Sequence, residues 1–157
     1  MTGNFTIRVY GILVDDEKRL LVSDEYIRGK YYTKFPGGGL EFGEGTRDCL
    51  KREFMEEMNL KVEVLQHFYT TDFFQESAFR AGDQIIAIYY KVKALQPISV
   101  RLSKNQFDFN EQDLNNYKLL NEIESFRFID WGKLSEESLT LPIDKVVVTM
   151  LLQSPPE

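Results

Sequence analysis

The chain has 157 residues, of which 43% are hydrophobic and 28% charged, and its 25 acidic and 19 basic side chains give a formal net charge of -6. This length and composition are typical of one folded domain and exclude a disordered or fibrous chain. The acidic balance excludes a protein that coats a nucleic-acid polymer, because such a surface needs a basic face.

Hydrophobic periodicity and turn residues predict a succession of strands and helices. The predicted strands are, in chain order, residues 5–14, 20–23, 31–35, 60–70, 84–93 and 125–129. The predicted helices are residues 46–58, a short one at 111–120, and a closing one at 144–153. Glycines tolerate backbone shapes that other residues resist, so the run 36–39 is expected to break regular structure. Strands around a central helix, with a further helix at the end, predict a mixed α/β layered domain.

The organisation of the chain predicts one domain over residues 1–153 and a short tail at 154–157, because no repeat, linker or low-complexity tract divides it. The most apolar run, residues 85–90, is too short to span a bilayer, and the first residues do not resemble a signal peptide. We therefore expect a cytoplasmic protein without a membrane partner. The polar stretch 103–124 is either a lid or binding loop, or a plain surface insertion.

Carboxylates carry most of the chemistry that this sequence offers. A single cysteine, Cys49, and a single histidine, His67, exclude an internal disulfide and metal sites built on several thiolates or imidazoles. Glu53, Glu56 and Glu57 stand three and four residues apart, so a helix places them on one face, beside its apolar stripe. A bound cation would relieve their repulsion, and clustered oxygen ligands select Mg²⁺, Mn²⁺ or Ca²⁺. Taken alone, the same string is more typical of a solvated acidic face.

A fixed spacing surrounds this acidic helix. Gly38 is followed after five residues by Glu44 and, after seven more, by the run Arg52-Glu53-Phe54-Met55-Glu56-Glu57-Met58-Asn59-Leu60. This spacing resembles the signature of the Nudix hydrolases, the MutT-like pyrophosphohydrolases: G, five residues, E, seven residues, R-E-U-x-E-E-x-G-U, where U is bulky and apolar. Six of the seven fixed positions match. With each fixed residue at roughly one in fifteen by composition, chance gives six matches about once in ten million windows.

One fixed position departs from the signature, because Asn59 stands where the family has glycine. That glycine ends the helix in the left-handed conformation. Asparagine is the residue other than glycine that adopts this conformation most readily. We therefore expect the same helix end, with the carboxylates left in place.

The resemblance implies an α/β/α sandwich with a central mixed β-sheet and a loop–helix–loop catalytic motif. It also implies that Mg²⁺, which Mn²⁺ could replace, is held by the Gly38 carbonyl and by Glu53, Glu56 and Glu57. Glu44 would support these ligands or shape the access of water. Arg52 would pair with a glutamate and fix its orientation.

The general base is left open between two regions of the chain. Glu53 is the candidate on the helix. Glu111, Glu122 and Glu124 are the candidates on a later loop, in or beside the polar insertion, and Glu122 is preferred among them. His67 is interpreted as a packed or edge residue of a strand, and Cys49 as a half-buried structural thiol.

The resemblance implies a small-molecule substrate in which a nucleoside diphosphate is linked to another moiety, as in a nucleotide, a nucleotide sugar or a nucleoside triphosphate. Sequence markers of individual subfamilies are missing, so the substrate itself is not named. The alternative is a Nudix-fold module that binds a nucleotide without turnover, although such modules usually lose catalytic glutamates. An exposed face on the aromatic strands would also allow a homodimer.

Overall fold

The computed structural model describes residues 3–156, apart from the side chain of Leu120. Within this range the chain forms seven strands and three α-helices. In chain order they are β1 (Phe5–Leu13), β2 (Arg19–Ile27), β3 (Lys30–Lys34), β4 (Gly37–Gly39), α1 (Thr46–Met58), β5 (Val62–Thr70), β6 (Gln84–Ala94), α2 (Glu111–Leu120), β7 (Glu122–Asp130) and α3 (Pro142–Leu152).

The described chain divides into two compact units, one of residues 3–13 and 36–99 and the other of residues 14–35 and 100–156. The first unit contains a mixed sheet in the order β4-β1-β6-β5, in which β1 and β6 run parallel and the other pairs antiparallel. Helix α1 contacts β1, β4 and β5 and buries one face, formed by Cys49, Leu50, Phe54 and Met58. This packing fixes the acidic helix beside the glycine run.

The glycine run does not break the sheet, contrary to the sequence prediction. Gly37–Gly39 forms the short strand β4, paired antiparallel with β1. The pairing continues beyond the strand, since the Gly11 N–H donates to the Pro36 carbonyl at 2.8 Å and the Leu40 N–H to the Ile7 carbonyl at 3.0 Å. Gly37 has φ +149°, which favours glycine, so the run keeps its ladder in a conformation that other residues resist.

The second unit contains an antiparallel sheet in the order β3-β2-β7, with α2 against β7. The stretch 103–124 is packed onto this unit. The Gln106 side chain donates to Thr33 Oγ1 at 2.8 Å, and the Phe107 N–H donates to Asp24 Oδ2 at 3.3 Å. Asp24 is fully buried and also pairs with Arg127, whose Nε lies 2.6 Å from Oδ2. These bonds favour a packed insertion over a loose lid.

The predicted mixed α/β class and central mixed sheet are confirmed. Helices α1 and α2 have the predicted limits, and α3 begins two residues earlier than predicted, at Pro142. The last strand is longer than predicted, because residues 122–124 also pair with β2. Within residues 3–156, no helix is long and apolar enough to cross a membrane. The single domain over residues 1–153 stays a prediction.

Candidate active site

The acidic helix ends as the sequence predicts. Asn59 adopts the left-handed conformation, with φ 49° and ψ 38°, and its N–H donates to the Met55 carbonyl at 2.9 Å. The next N–H, of the buried Leu60, donates to the Phe54 carbonyl at 3.3 Å. Asparagine therefore terminates the helix where the signature has glycine, and α1 retains all its acidic positions.

Gly38 and Glu53 lie in direct contact. A Cβ built on Gly38 would overlap the Glu53 carboxyl group, whereas one built on Gly39 would have no atom within 4 Å. The Glu53 side chain is only 13% exposed at this place. A side chain at position 38 would therefore displace the Glu53 carboxylate from this place.

Arg52 joins the carboxylates of the motif. Its Nε and Nη2 donate to the two oxygens of Glu44, at 3.0 and 2.6 Å, and Nη2 also donates to the Gly39 carbonyl at 3.1 Å. Its Nη1 donates to Glu53 Oε1 at 2.9 Å and to Glu56 Oε2 at 3.2 Å. The orienting role implied for Arg52 therefore has a geometric basis, since one planar group holds three acidic side chains.

The fork between Arg52 and Glu44 is electrostatically strong. The hydrogen bonds from Arg52, and then that from the Glu41 N–H, lower the pKa of Glu44 from 4.5 to about 2. The same bond to Glu44 raises the pKa of Arg52 above its ordinary value. Both groups therefore stay charged at neutral pH, and Glu44 braces Arg52 with both of its oxygens.

Cys49 is buried beneath this network. Burial, and next its contact with Glu44, raises the pKa of the thiol to about 12, and Sγ donates to the Gly39 carbonyl at 3.5 Å. A thiol in this environment remains protonated and is a poor nucleophile. The interpretation of Cys49 as a structural thiol agrees with this placement, although the side chain is fully rather than half buried.

The register of β4 directs its carbonyls. Pro36 is hydrogen-bonded to Gly11, and Leu40 to Ile7, at the two ends of the pairing between β4 and β1. In an antiparallel pair of strands, hydrogen-bonded and non-hydrogen-bonded residue pairs alternate. Gly38, which faces Val9 midway between these two bonds, therefore belongs to a hydrogen-bonded pair. The carbonyls of Gly37 and Gly39 consequently point away from β1. The bond from Arg52 to the Gly39 carbonyl agrees with this direction. Gly37 is thus better oriented than the predicted Gly38 to offer its carbonyl outside the sheet.

The carboxylates of α1 are the kind of ligand that suits a hard divalent cation, although their present positions do not form a binding site. Among residues 3–156 no three His, Cys, Asp or Glu side chains are placed to hold a metal ion as they stand. In this arrangement one oxygen of Glu53 and one of Glu56 accept hydrogen bonds from Arg52. Glu57, half-buried, follows Glu53 by one helical turn. Three carboxylates beside a glycine strand offer the oxygen ligands that Mg²⁺ prefers, once Glu53 and Glu56 turn away from Arg52.

The later candidates for the general base lie in the second unit. Glu122 is the first residue of β7, is exposed, and pairs with Ile27 on β2. Glu124 lies on the same strand and Glu111 begins α2, so none of the three is on a loop. The structure therefore brings Glu53 into the motif network and places Glu122 on a strand of the other unit.

Sequence reasoning missed two members of the network. One is the Gly39 carbonyl, which accepts from Arg52 Nη2. The other is the Glu41 carboxylate, which lies 3.7 Å from Arg52 Nη1. Neither occupies a fixed position of the motif. The sequence signal for Glu41 is its position three residues before Glu44, which is the spacing of a turn. The structure contains this turn, in which the Glu44 N–H donates to the Glu41 carbonyl at 3.3 Å.

Comparison with known proteins identifies the family. The family model described as NUDIX domain matches residues 5–146, which is most of the chain. The chain belongs to the NUDIX family. The position of the match includes the glycine strand, α1 and the Arg52 network, so the family resemblance noted in the sequence is confirmed. Membership supports a hydrolase.

Solved structures show the same fold at low sequence identity. The E. coli ORF135 protein matches with a TM-score of 0.67 and 16% identity, over 97% of this chain and 93% of that one. The MutT protein from Methanosarcina mazei Go1 matches with a TM-score of 0.66 and 13% identity, over 98% and 96%. The MutT NUDIX hydrolase from Burkholderia pseudomallei matches with a TM-score of 0.66 and 14% identity, over 93% and 97%. The predicted Nudix-like fold is thereby confirmed.

Proposed function

We propose that this NUDIX protein is a pyrophosphohydrolase that uses Mg²⁺ to hydrolyse the diphosphate linkage of a nucleoside diphosphate joined to another moiety. The observation that carries the proposal is the Arg52 network. It fixes Glu44, Glu53 and Glu56 beside the glycine strand, and Gly38 leaves space for the Glu53 carboxylate. A purely solvated acidic face would not need a half-buried arginine that bonds three of its carboxylates.

In this proposal Glu53, Glu56 and Glu57 hold Mg²⁺, for which Mn²⁺ can substitute. A carbonyl of the glycine strand completes the ligands, and the register favours Gly37 over Gly38. The bound ion would offset the charge of the diphosphate oxygens and acidify a water molecule. Glu44 contributes by holding Arg52 rather than by binding the ion, because Arg52 already engages both of its oxygens.

The hydrolytic step breaks the bond between one phosphorus and the bridging oxygen, while a water oxygen bonds to that phosphorus. We assign the removal of the water proton to Glu53, which Arg52 holds beside the glycine strand through a 2.9 Å hydrogen bond before the cation binds. The bridging oxygen leaves with the second phosphate. Glu122 remains the alternative base, as predicted from the sequence.

A substrate panel tests this function directly. Purified protein would be incubated with nucleoside triphosphates, nucleotide sugars and dinucleoside polyphosphates, with Mg²⁺ and with the ion removed by a chelator. We expect at least one compound to be cut at its diphosphate into two phosphate-bearing products, in Mg²⁺ only. Tight binding without turnover of any diphosphate would instead support the alternative of a non-catalytic nucleotide-binding module.

The remaining assignments rest on the sequence. We retain a small-molecule nucleotide derivative as the partner and expect no nucleic-acid polymer, because the net charge is -6. The cytoplasmic location and the homodimer stay predictions.

A further inference from the structure

The Nη1 group of Arg52 is engaged by side chains that the cation also requires. It lies 2.9 Å from Glu53 Oε1 and 3.2 Å from Glu56 Oε2. Nη1 carries two hydrogens, and these two acceptors match them in number. In this arrangement the guanidinium supplies the positive charge that the carboxylates would otherwise receive from a divalent ion.

The rest of the guanidinium is anchored independently of those two carboxylates. Nε and Nη2 are bound to Glu44, and Nη2 is also bound to the Gly39 carbonyl. The Arg52 side chain is 23% exposed and that of Glu44 16%. When Glu53 and Glu56 turn toward a cation, this anchor holds Arg52 in place, and its Nη1 hydrogens then need another acceptor.

Glu41 lies in reach of the vacated Nη1. Its Oε1 is 3.7 Å away, which is longer than a hydrogen bond, and its side chain is 68% exposed and so has room to move. Its backbone is fixed, because its N–H donates to Glu44 Oε1 at 2.9 Å and its carbonyl accepts from the Glu44 N–H at 3.3 Å. A rotation of the side chain, without movement of the turn, would bring the two atoms together.

We propose that Glu41 is a positioning residue, which accepts the hydrogen bonds of Arg52 Nη1 when a divalent cation binds and so releases Glu53 and Glu56 as ligands. This role rests on the proposed function, since it requires the cation site on α1. It adds to the motif a residue outside the fixed positions. Its consequence is that Glu41 stabilises the cation-bound arrangement without contacting the cation.

The test is the binding of Mn²⁺ to the full chain, measured by calorimetry without nucleotide. Glu41→Gln should raise the Kd for Mn²⁺ about two- to fivefold, the effect expected for one exposed ion pair. It should leave the denaturant midpoint of the metal-free protein unchanged, because the 3.7 Å pair contributes little there. Glu41→Asp, which keeps the charge on a shorter side chain, should restore part of the affinity. Asp48→Asn is the control, since Asp48 is an exposed acid one turn before Arg52 that is not among its ion-pair partners.

The same substitution in the Arg52→Lys variant shows whether Glu41 acts through Arg52 or only through its own negative charge. In Arg52→Lys protein the fork is absent, so Glu41→Gln should change the Kd by less than about 1.5-fold. An undiminished effect in that background, or an unchanged Kd in the wild-type background, would overturn the role of Glu41 and leave the hydrolase proposal standing. Failure of the wild-type chain to bind Mn²⁺ would contradict the metal site itself, and the role of Glu41 with it.

Discussion

At the scale of single residues, the site balances like charges against one guanidinium. Glu53 and Glu56 stand three residues apart on a helix, where carboxylates repel by roughly 0.2–0.5 kcal/mol. Arg52 offsets this repulsion with bonds to both. Removing the charge of Glu56 therefore relieves a repulsion and loses an attraction. Without metal, the net electrostatic repulsion among the carboxylates of α1 is therefore smaller than the sequence alone predicts.

Gly38 offers the sharpest substitution at this scale. Gly38→Ala places a methyl group on the Glu53 carboxylate, whose side chain must then change rotamer, so we expect a loss of about 0.5–1.5 kcal/mol in the free energy of unfolding and at least a tenfold lower rate. Urea unfolding and steady-state hydrolysis measure the two effects. Gly39→Ala is the matched control, because its methyl group would meet open space and its φ is not positive. Equal behaviour of the two variants would contradict the close contact between Gly38 and Glu53.

At the scale of elements, α1 could be predicted from the sequence because its signals are local. The apolar stripe of Leu50, Phe54 and Met58 gives the helical period, and Asn59 marks its end. The motif spacing also located the carboxylates. It could not show that Arg52 holds Glu53 and Glu56 together, because that depends on side-chain conformations.

Strand β4 could not be predicted, because its cause is not local. Glycine has low strand propensity, and the three glycines are ordered by pairing with β1, which lies almost thirty residues earlier. The start of β7 escaped prediction for the same reason. Glu122 and Glu124 are polar, and they become strand residues by pairing with Ile27 and Glu25 of β2.

The end of α1 gives a prediction for an element. Asn59 has φ 49°, which glycine adopts without cost, so Asn59→Gly should raise the free energy of unfolding by a few tenths of a kcal/mol, up to about 1. Asn59→Ala should lower it by about 1 kcal/mol, since asparagine tolerates the left-handed conformation better than other residues that carry a Cβ. Urea unfolding of the two variants, compared with the wild type, checks the order. A more stable alanine variant would contradict the left-handed helix end.

At the scale of the whole molecule, the negative charge is concentrated at the site. Residues 41–57 contain six acidic and three basic side chains, so this segment has a net charge of -3, while the whole chain has -6. The remainder is nearly balanced. Bound divalent cations would neutralise much of the segment and make it attractive to a diphosphate. An acidic protein is in this way compatible with a phosphate substrate and incompatible with coating a polyanion.

The measurement that tests the central proposal most directly is the rate of diphosphate hydrolysis, in Mg²⁺, by wild-type, Glu57→Gln and Glu63→Gln protein. Glu57 is a proposed ligand, whereas Glu63 is an exposed residue of β5 and serves as the charge-matched control. We predict that Glu57→Gln lowers the rate at least about 100-fold, because an oxygen ligand of the cation is lost, and that Glu63→Gln retains it. A Glu57→Gln protein with the wild-type rate would contradict metal-dependent hydrolysis by the carboxylates of α1.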